Sequence, residues 1–325
     1  MSEATRPTRS LKGRVAIVTG AGALDDGIGN GRASAILLAE AGCDVVCVDL
    51  KVELAERTVQ MIEQEGLGKA IAMKANVTNE ADCKKAVEAT VEQFGRLDIL
   101  VNVVGVGGAL GTAKDVDMTE WATGMTINVA SMVMMSKYAI PAMERNEGQW
   151  RGSIVNLASV AGIRGGNPHL LYPTSKGAIV NMTRAMAHQH AKEGIRVNCV
   201  CPGMVYTPMM YGPGMSEDAR ESRKNRSLLK TEGTGWDVAA AVRFLAGDEA
   251  RWMTGVILPV DAGATAAVGS DLPAKRALPV HKERWAHQAR VCLSATQQLC
   301  QVTTDTLSLS RHSSPVPDVH SDCPF

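Results

Sequence analysis

The sequence predicts one doubly wound α/β domain over roughly residues 12–266, a parallel sheet of about seven strands flanked by helices. Three observations predict it. Seven apolar runs are continuous rather than alternating, as strands buried on both faces are. Amphipathic segments separate them, with apolar residues at three- and four-residue steps and a glycine at the end. A glycine-rich stretch joins the first strand to the first helix.

In chain order the strands are RVAIVTG (14–20), CDVVCVDL (43–50), AIAMKANV (70–77), LDILVNVVG (97–105), GSIVNLAS (152–159), RVNCVCPG (196–203) and GVILPVDAG (255–263). VELAERTVQMIEQEG and EADCKKAVEATVEQFG read as helices between them. Residues 1–11 read as a short disordered lead, with an organelle transit peptide as the alternative that the three arginines of residues 1–14 raise. Residues 267–325 lack periodicity and are rich in Ser and Thr. They read as a poorly ordered tail outside the catalytic unit, with one short helix over WAHQARVCLSATQQL.

Composition excludes several classes. The chain has 34 basic and 34 acidic residues, which gives no electrostatic footprint for nucleic acid or an anionic membrane. No apolar run approaches the roughly 18 residues of a membrane span. The eight cysteines form no C-x-x-C pair, so buried reduced thiols in a cytoplasmic protein are expected, and no metal site.

The stretch VTGAGALDDGIGNGRASAILLAEAG (18–42) carries the first functional signal. A pyrophosphate at a helix N-terminus gains from free backbone N–H groups and the helix dipole, and glycine lets the backbone come close. Gly20 makes the turn after the first strand, and Gly29, Asn30 and Gly31 stand at the helix mouth. Asp49 ends the second strand, where a carboxylate accepts from a ribose 2′-hydroxyl and repels a 2′-phosphate. NAD is therefore expected over NADP. Asp25 and Asp26 push the same way, whereas Arg32 and Lys51 push the other.

YPTSK (172–176) carries the second signal, since Tyr172 and Lys176 at i and i+4 share a face of a helix. A phenol with a reference pKa of about 10 is a poor base at neutral pH. A neighbouring ammonium and a cationic nicotinamide ring favour the phenolate. Ser159 ends a strand thirteen residues earlier, where open α/β sheets bind ligands. Its hydroxyl can hold a substrate oxygen against the tyrosine.

With these residues in place, the stretch 12–266 resembles the non-extended, classical-type branch of the short-chain dehydrogenase/reductase family, with its Rossmann-type fold. The resemblance implies that Ser159, Tyr172 and Lys176 are the catalytic serine, tyrosine and lysine. It implies that Asn128, in TINVAS, anchors a water-linked proton relay beyond the lysine. Pro202, Gly203, Val205 and Thr207, in PGMVYTPM, match the segment that binds the nicotinamide carboxamide. Asn76, followed by Val77, stands where the family has an aspartate at the adenine, and its carbonyl is expected to accept in its place. Asn102 and Gly105 survive from the family's NNAG, here NVVG. The glycine motif TGxxxGxG is longer here, with eight residues between Gly20 and Gly29 where the family has three. The helix length to Gly42 selects Gly29 and Gly31 as the phosphate-binding pair over Gly27 and Gly29, with the five-residue insertion bulging outward into solvent.

The activity implied is hydride transfer between nicotinamide C4 and the carbinol carbon of a secondary alcohol, giving a ketone. MVYTPMMYGPGMSEDARESRKN opens a lid over about 204–230 whose methionines and tyrosines suit a bulky, apolar substrate. His169 is either a substrate contact or a solvated loop residue. The family also implies a homotetramer or homodimer. Three rivals stand beside this reading: an NADPH-dependent ketoreductase, a catalytically silent dinucleotide-binding regulator, and an enoyl reductase. That last branch spaces its tyrosine and lysine by six residues rather than three.

Overall fold

The computed structural model describes residues 6–66 and 68–267. Residues 1–5 of the expected lead, and the expected tail from 268 with its short helix, lie outside the described residues, as do Cys292, Cys300 and Cys323.

All seven expected strands form, and all pair in parallel. They are β1 (Val15–Thr19), β2 (Asp44–Asp49), β3 (Ala70–Lys74), β4 (Ile99–Asn102), β5 (Gly152–Leu157), β6 (Ile195–Pro202) and β7 (Ile257–Val260). The sheet order is β3-β2-β1-β4-β5-β6-β7. The order reverses between β1 and β4, which places the ligand crevice at the carboxyl ends of those two strands. Their last residues lie side by side, Thr19 against Asn102 and Asn102 against Asn156.

Period-two alternation sends the strand side chains to two cores. Ala16, Val18 and Val45 pack with Leu38 of α1 (Asn30–Glu40) and with Val242 and Leu245 of α9 (Gly235–Ala246). Ile17, Val46 and Leu100 face Val87 of α3 (Glu80–Phe94) and Met135 and Met143 of α5 (Ser131–Met143). Both strand faces are covered, which is why the runs read as continuous apolar stretches. α3 starts where the Asn79 side chain accepts from the Asp82 amide at 3.1 Å. It stops at Gly95, which adopts the left-handed conformation (φ 80°), as does Gly66 (φ 70°) after α2 (Val52–Glu65). Leu11, assigned by the sequence reading to the lead, is instead buried, and its amide donates to Ala41 at 2.7 Å. Packing therefore begins at Leu11. Among the described residues no helix is long and apolar enough to cross a membrane.

The close approach of α1 to β1 depends on Gly31, where a Cβ would land on the Gly20 carbonyl oxygen. Gly31→Ala is expected to destabilise the fold by about 3 kcal/mol, at the upper end of overpacking costs. A urea titration should show the lower midpoint at an unchanged slope.

Candidate active site

The coenzyme cradle is built at the carboxyl ends of β1 and β2. Gly20 turns with φ 64°, and Gly29 caps α1 with no side-chain bond of its own. The first helical bond in this turn is Ala33 to Gly29, so the amides of Asn30, Gly31 and Arg32 point out of the helix mouth. Asn30 Oδ1 is buried there without a partner, and nothing but the Ala23 methyl approaches the Cβ position of Gly29. Open space and free amide donors fit the pyrophosphate of a dinucleotide, whereas the orphaned Asn30 oxygen calls for a donor. Gly29 caps this mouth and Gly31 lies in its first turn, with Gly27 two residues ahead of the cap.

Asp49 ends β2, as a ribose ligand should. Its Oδ2 accepts from the Gly22 amide at 2.9 Å and its Oδ1 from the Lys51 amide at 3.0 Å. The carboxylate thus also holds the glycine loop. Gly22 is a functional glycine the sequence reading missed, for a Cβ there would sit 2.8 Å from Asp49 Oδ2. The signal was present in the TGAG run.

The inserted stretch is exposed at its tip and held at its base, which explains one objection. Leu24, Asp25 and Asp26 are exposed, whereas Ala21 and Ala23 at the loop's start are buried, so the loop is held against the domain there. Arg32 does this from inside. It is 0 % exposed, and its guanidinium donates to the carbonyls of Asp25 (2.6 Å), Gly27 (2.7 Å) and Ala23 (2.8 Å) and to Thr58 Oγ1 (3.0 Å). Arg32 is thereby committed to the loop and is not free for a 2′-phosphate.

The catalytic candidates converge at the carboxyl end of β5. Tyr172 and Lys176 lie on one face of α6 (Leu171–His190), with Lys176 Nζ 5.7 Å from the Tyr172 ring centre. The Ser159 side chain faces the Tyr172 phenol closely enough to favour its ionised form. Lys176 is buried and donates to the Leu157 carbonyl at 3.0 Å. Burial lowers its pKa to about 8. Burial also pushes the Tyr172 phenol up, opposed by Ser159. The expected pull toward the phenolate comes from the ammonium together with a cationic nicotinamide ring, and in the protein itself desolvation is the larger effect.

Asn128 is fully buried inside a π-helical turn, Thr126–Ala130, a local widening that often marks functional sites. Its Oδ1 accepts from the Val106 amide (2.8 Å), and its Nδ2 donates to the Val106 carbonyl (2.9 Å) and to Ser175 Oγ (2.9 Å). Ser175, inside YPTSK, is a second residue the sequence reading missed; its own hydroxyl returns to the Tyr172 carbonyl at 2.9 Å. Gly105 separates the two polar groups. A Cβ there would lie 3.0 Å from Lys176 Nζ and 3.4 Å from Asn128 Oδ1.

The remaining candidates are placed less uniformly. Pro202 ends β6, the Gly203 amide donates to Val260 at 2.9 Å, Val205 bridges to Gly233, and Thr207 is buried at the start of α7 (Pro208–Tyr211). Asn102 Nδ2 donates to Asn156 Oδ1 at 2.9 Å, and Val77 is buried. Asn76 corrects an expectation: its Oδ1 already accepts from the amide and hydroxyl of Thr78, leaving the Nδ2 donor for an adenine. His169 Nδ1 accepts from the Gly111 amide at 3.1 Å and so ties the loop before α6 to the one after β4. Cys43, Cys47, Cys83, Cys199 and Cys201 are free and buried, and burial pushes Cys47 up to about 12.

A doubly wound sheet with a dinucleotide cradle at its switch point and a Ser–Tyr–Lys–Asn cluster beside it defines a class, the nicotinamide-dependent oxidoreductases. Residues 22–265 match the family described as enoyl-(acyl carrier protein) reductase. The chain is 39% identical over 261 residues to 2-(S)-hydroxypropyl-CoM dehydrogenase 3 of Xanthobacter autotrophicus, covering 79% of this chain and 98% of that one. It is similar to the structure of a short-chain type dehydrogenase/reductase from Mycobacterium ulcerans, with a TM-score of 0.74 and 27% identity over 80% of this chain and 92% of that one. The structure of a 7α-hydroxysteroid dehydrogenase complexed with NADH and 7-oxo glycochenodeoxycholic acid gives a TM-score of 0.72 and 31% identity, covering 78% of this chain and 95% of that one. The chain belongs to the short-chain dehydrogenase/reductase family of oxidoreductases.

The Lys176 ammonium has a testable consequence for stability. Its folded pKa, about 8, lies below the ordinary 10.5, so folding must bury a charge below about pH 8. That cost shrinks as pH rises above about 8 and is gone near 10.5. Lys176→Met is expected to stabilise the protein at about pH 7 by on the order of 2 kcal/mol, the relieved charge less the lost Leu157 bond. Urea midpoints at about pH 7 and about pH 9.5 should show the advantage shrinking.

Proposed function

We propose that the protein is an NAD-dependent oxidoreductase interconverting a secondary alcohol and a ketone, on a bulky apolar or cyclic substrate. The observation that carries the reading is the Tyr172 ring 5.7 Å from the ammonium of the buried Lys176 one helical turn away, with Ser159 facing the phenol and the cradle beside it. Bound NAD supplies a hydride acceptor. Ser159 holds the substrate oxygen against Tyr172, and Tyr172, as phenolate, takes the hydroxyl proton when the alcohol is oxidised. Lys176 favours the phenolate by its charge and holds the nicotinamide ribose. Asn128, fixed by Val106 and Ser175, steadies the far end of the proton path.

NAD is supported over NADP by Asp49 and by the commitment of Arg32, which leaves Lys51 as the cation favouring a phosphate. Filled positions for all four catalytic groups argue against a silent regulator. The three residues between Tyr172 and Lys176 argue against enoyl reduction, despite the description of the matching family. A lid in which the Tyr206 and Tyr211 ring centres lie 4.9 Å apart, tilted by 41°, supports an apolar substrate, as does a steroid-binding relative. The reading includes a cytoplasmic homotetramer or homodimer. Buried free thiols support that compartment, and exposed Met118 and Val133 on α4 (Met118–Met125) and α5 support self-association.

Two measurements test the reading. Tyr172→Phe should lower kcat for a cyclic secondary alcohol by about a thousandfold while NADH binds within about twofold of wild type; retained turnover would refute the role given to the phenol. The kcat/KM for NADH should exceed that for NADPH by at least about tenfold, 1.4 kcal/mol. A reversed ratio would favour the NADPH ketoreductase.

A further inference from the structure

We propose that the lengthened glycine loop is the seat of the substrate lid, with Gly27 and Arg32 as positioning residues that fix the lid from the coenzyme side of the cleft. The proposal rests on the functional reading above for its effect on turnover, but the seat itself is a matter of contacts.

The inserted residues reach α7. A Cβ on Gly27 would lie 2.5 Å from Pro208 Cγ and 2.5 Å from Tyr211 Oη, so the lid helix is packed directly onto the glycine's bare Cα. Leu24 Cδ1 comes within 3.5 Å of the Cβ position of Gly212, just past the helix. A loop of the family's ordinary length has no residues to place here.

A seat must be stiff to position anything, and this one is. Arg32 ties three carbonyls of the loop to one planar group, a geometry that a lysine ammonium does not reproduce. Thr58, which accepts from Arg32, donates to the Ala21 carbonyl at 2.8 Å, and Arg57 holds Asp26 at 2.6 Å. The loop is therefore fastened to α2 as well as to α1.

The lid is braced at its other end. The Tyr211 ring packs against Tyr206 at a tilt of 41°, the Arg220 guanidinium lies 3.9 Å from the Tyr206 ring centre, and Arg220 pairs with Glu232 at 2.8 Å. Tyr206 sits between Val205 and Thr207 in the segment assigned to the nicotinamide. Its placement is thus shared between the salt bridge behind it and the glycine loop in front. Substrate affinity should respond to the loop without any loop residue touching substrate.

Hydrogen exchange and kinetics on two variants test this. The lid amides of Met210, Tyr211 and Gly212 are bonded to Thr207 and Pro208 carbonyls and report lid order. Gly27→Ala leaves the Arg32 clamp in place but pushes Pro208 and Tyr211 off the loop. It is expected to speed exchange at those amides by at least about tenfold in the coenzyme-free protein. KM for a cyclic secondary alcohol should rise about five- to twentyfold, with kcat and the NADH Kd within about twofold. Arg32→Lys should speed exchange in both the loop and the lid; should that variant not fold, Gly27→Ala decides alone. Unchanged lid exchange in Gly27→Ala overturns the seat, and a weakened NADH Kd with an unmoved lid assigns the loop to the coenzyme only. Absent alcohol turnover in the wild type would sink the functional reading and leave the exchange result to judge the seat.

Discussion

The arrangement of the site follows from one constraint, a lysine ammonium kept out of water one turn below a phenol. Lys176 has the Leu157 carbonyl as its protein partner, and burial works against its charge. Every neighbouring element accommodates it. β5 ends where its carbonyl can accept. Gly105 has no side chain to fill the space beside Nζ, and the π-helical turn brings Asn128 to the other side of that space. Behind it the sulfur atoms of Cys199 and Cys201 lie 3.9 Å apart on β6. A well-packed apolar residue would serve the fold better here, which is the usual sign that a buried charge is kept for chemistry.

Around that lysine the carboxyl end of the sheet is a polar layer rather than an apolar one. Asn102 donates to Asn156, Asn156 to Thr183 on α6, and Asn128 to Ser175. This explains why NVVG suffices where the family has NNAG. The Val103 amide donates to Thr19 Oγ1 at 3.1 Å, and the Thr19 hydroxyl donates to the Val101 carbonyl. β1 and β4 are thus tied by a backbone amide and a threonine, with no side-chain polarity needed at 103.

The fold was legible because each strand is buried on two faces and each helix on one, so the periods differ along the chain. Ser159, Tyr172, Lys176 and Asn128 were legible as residue types at a spacing. Their partners were not. Ser175 hides on the same helix as Tyr172, and its role appears only when α4–α5 brings Asn128 against it. Asn76 misled because its bond to Thr78 is a local turn that competes with any ligand for the same oxygen. The anchoring of the insertion was hidden for a different reason. A run with two aspartates and four glycines reads as solvent-facing, which its tip is, and the residue that holds its base, Arg32, lies beyond it on α1.

Arg32 then resolves an apparent conflict between charge and burial. A cation in the first turn of a helix opposes the helix dipole, and α1 has no acidic residue there to offset it. A long loop also adds closure entropy, modestly, since that cost grows only with the logarithm of length. Both penalties are met by the same side chain. The guanidinium replaces its water with three loop carbonyls and a threonine hydroxyl, and in doing so removes those carbonyls from the list of buried acceptors without donors. Its charge remains, screened by Asp26 at the rim but lying beside the free amides of Asn30 and Gly31. Dipole, amides and guanidinium all make the helix mouth positive, which is the potential a pyrophosphate requires. The residue that looked like a ligand for one extra phosphate is instead the internal frame of the glycine loop.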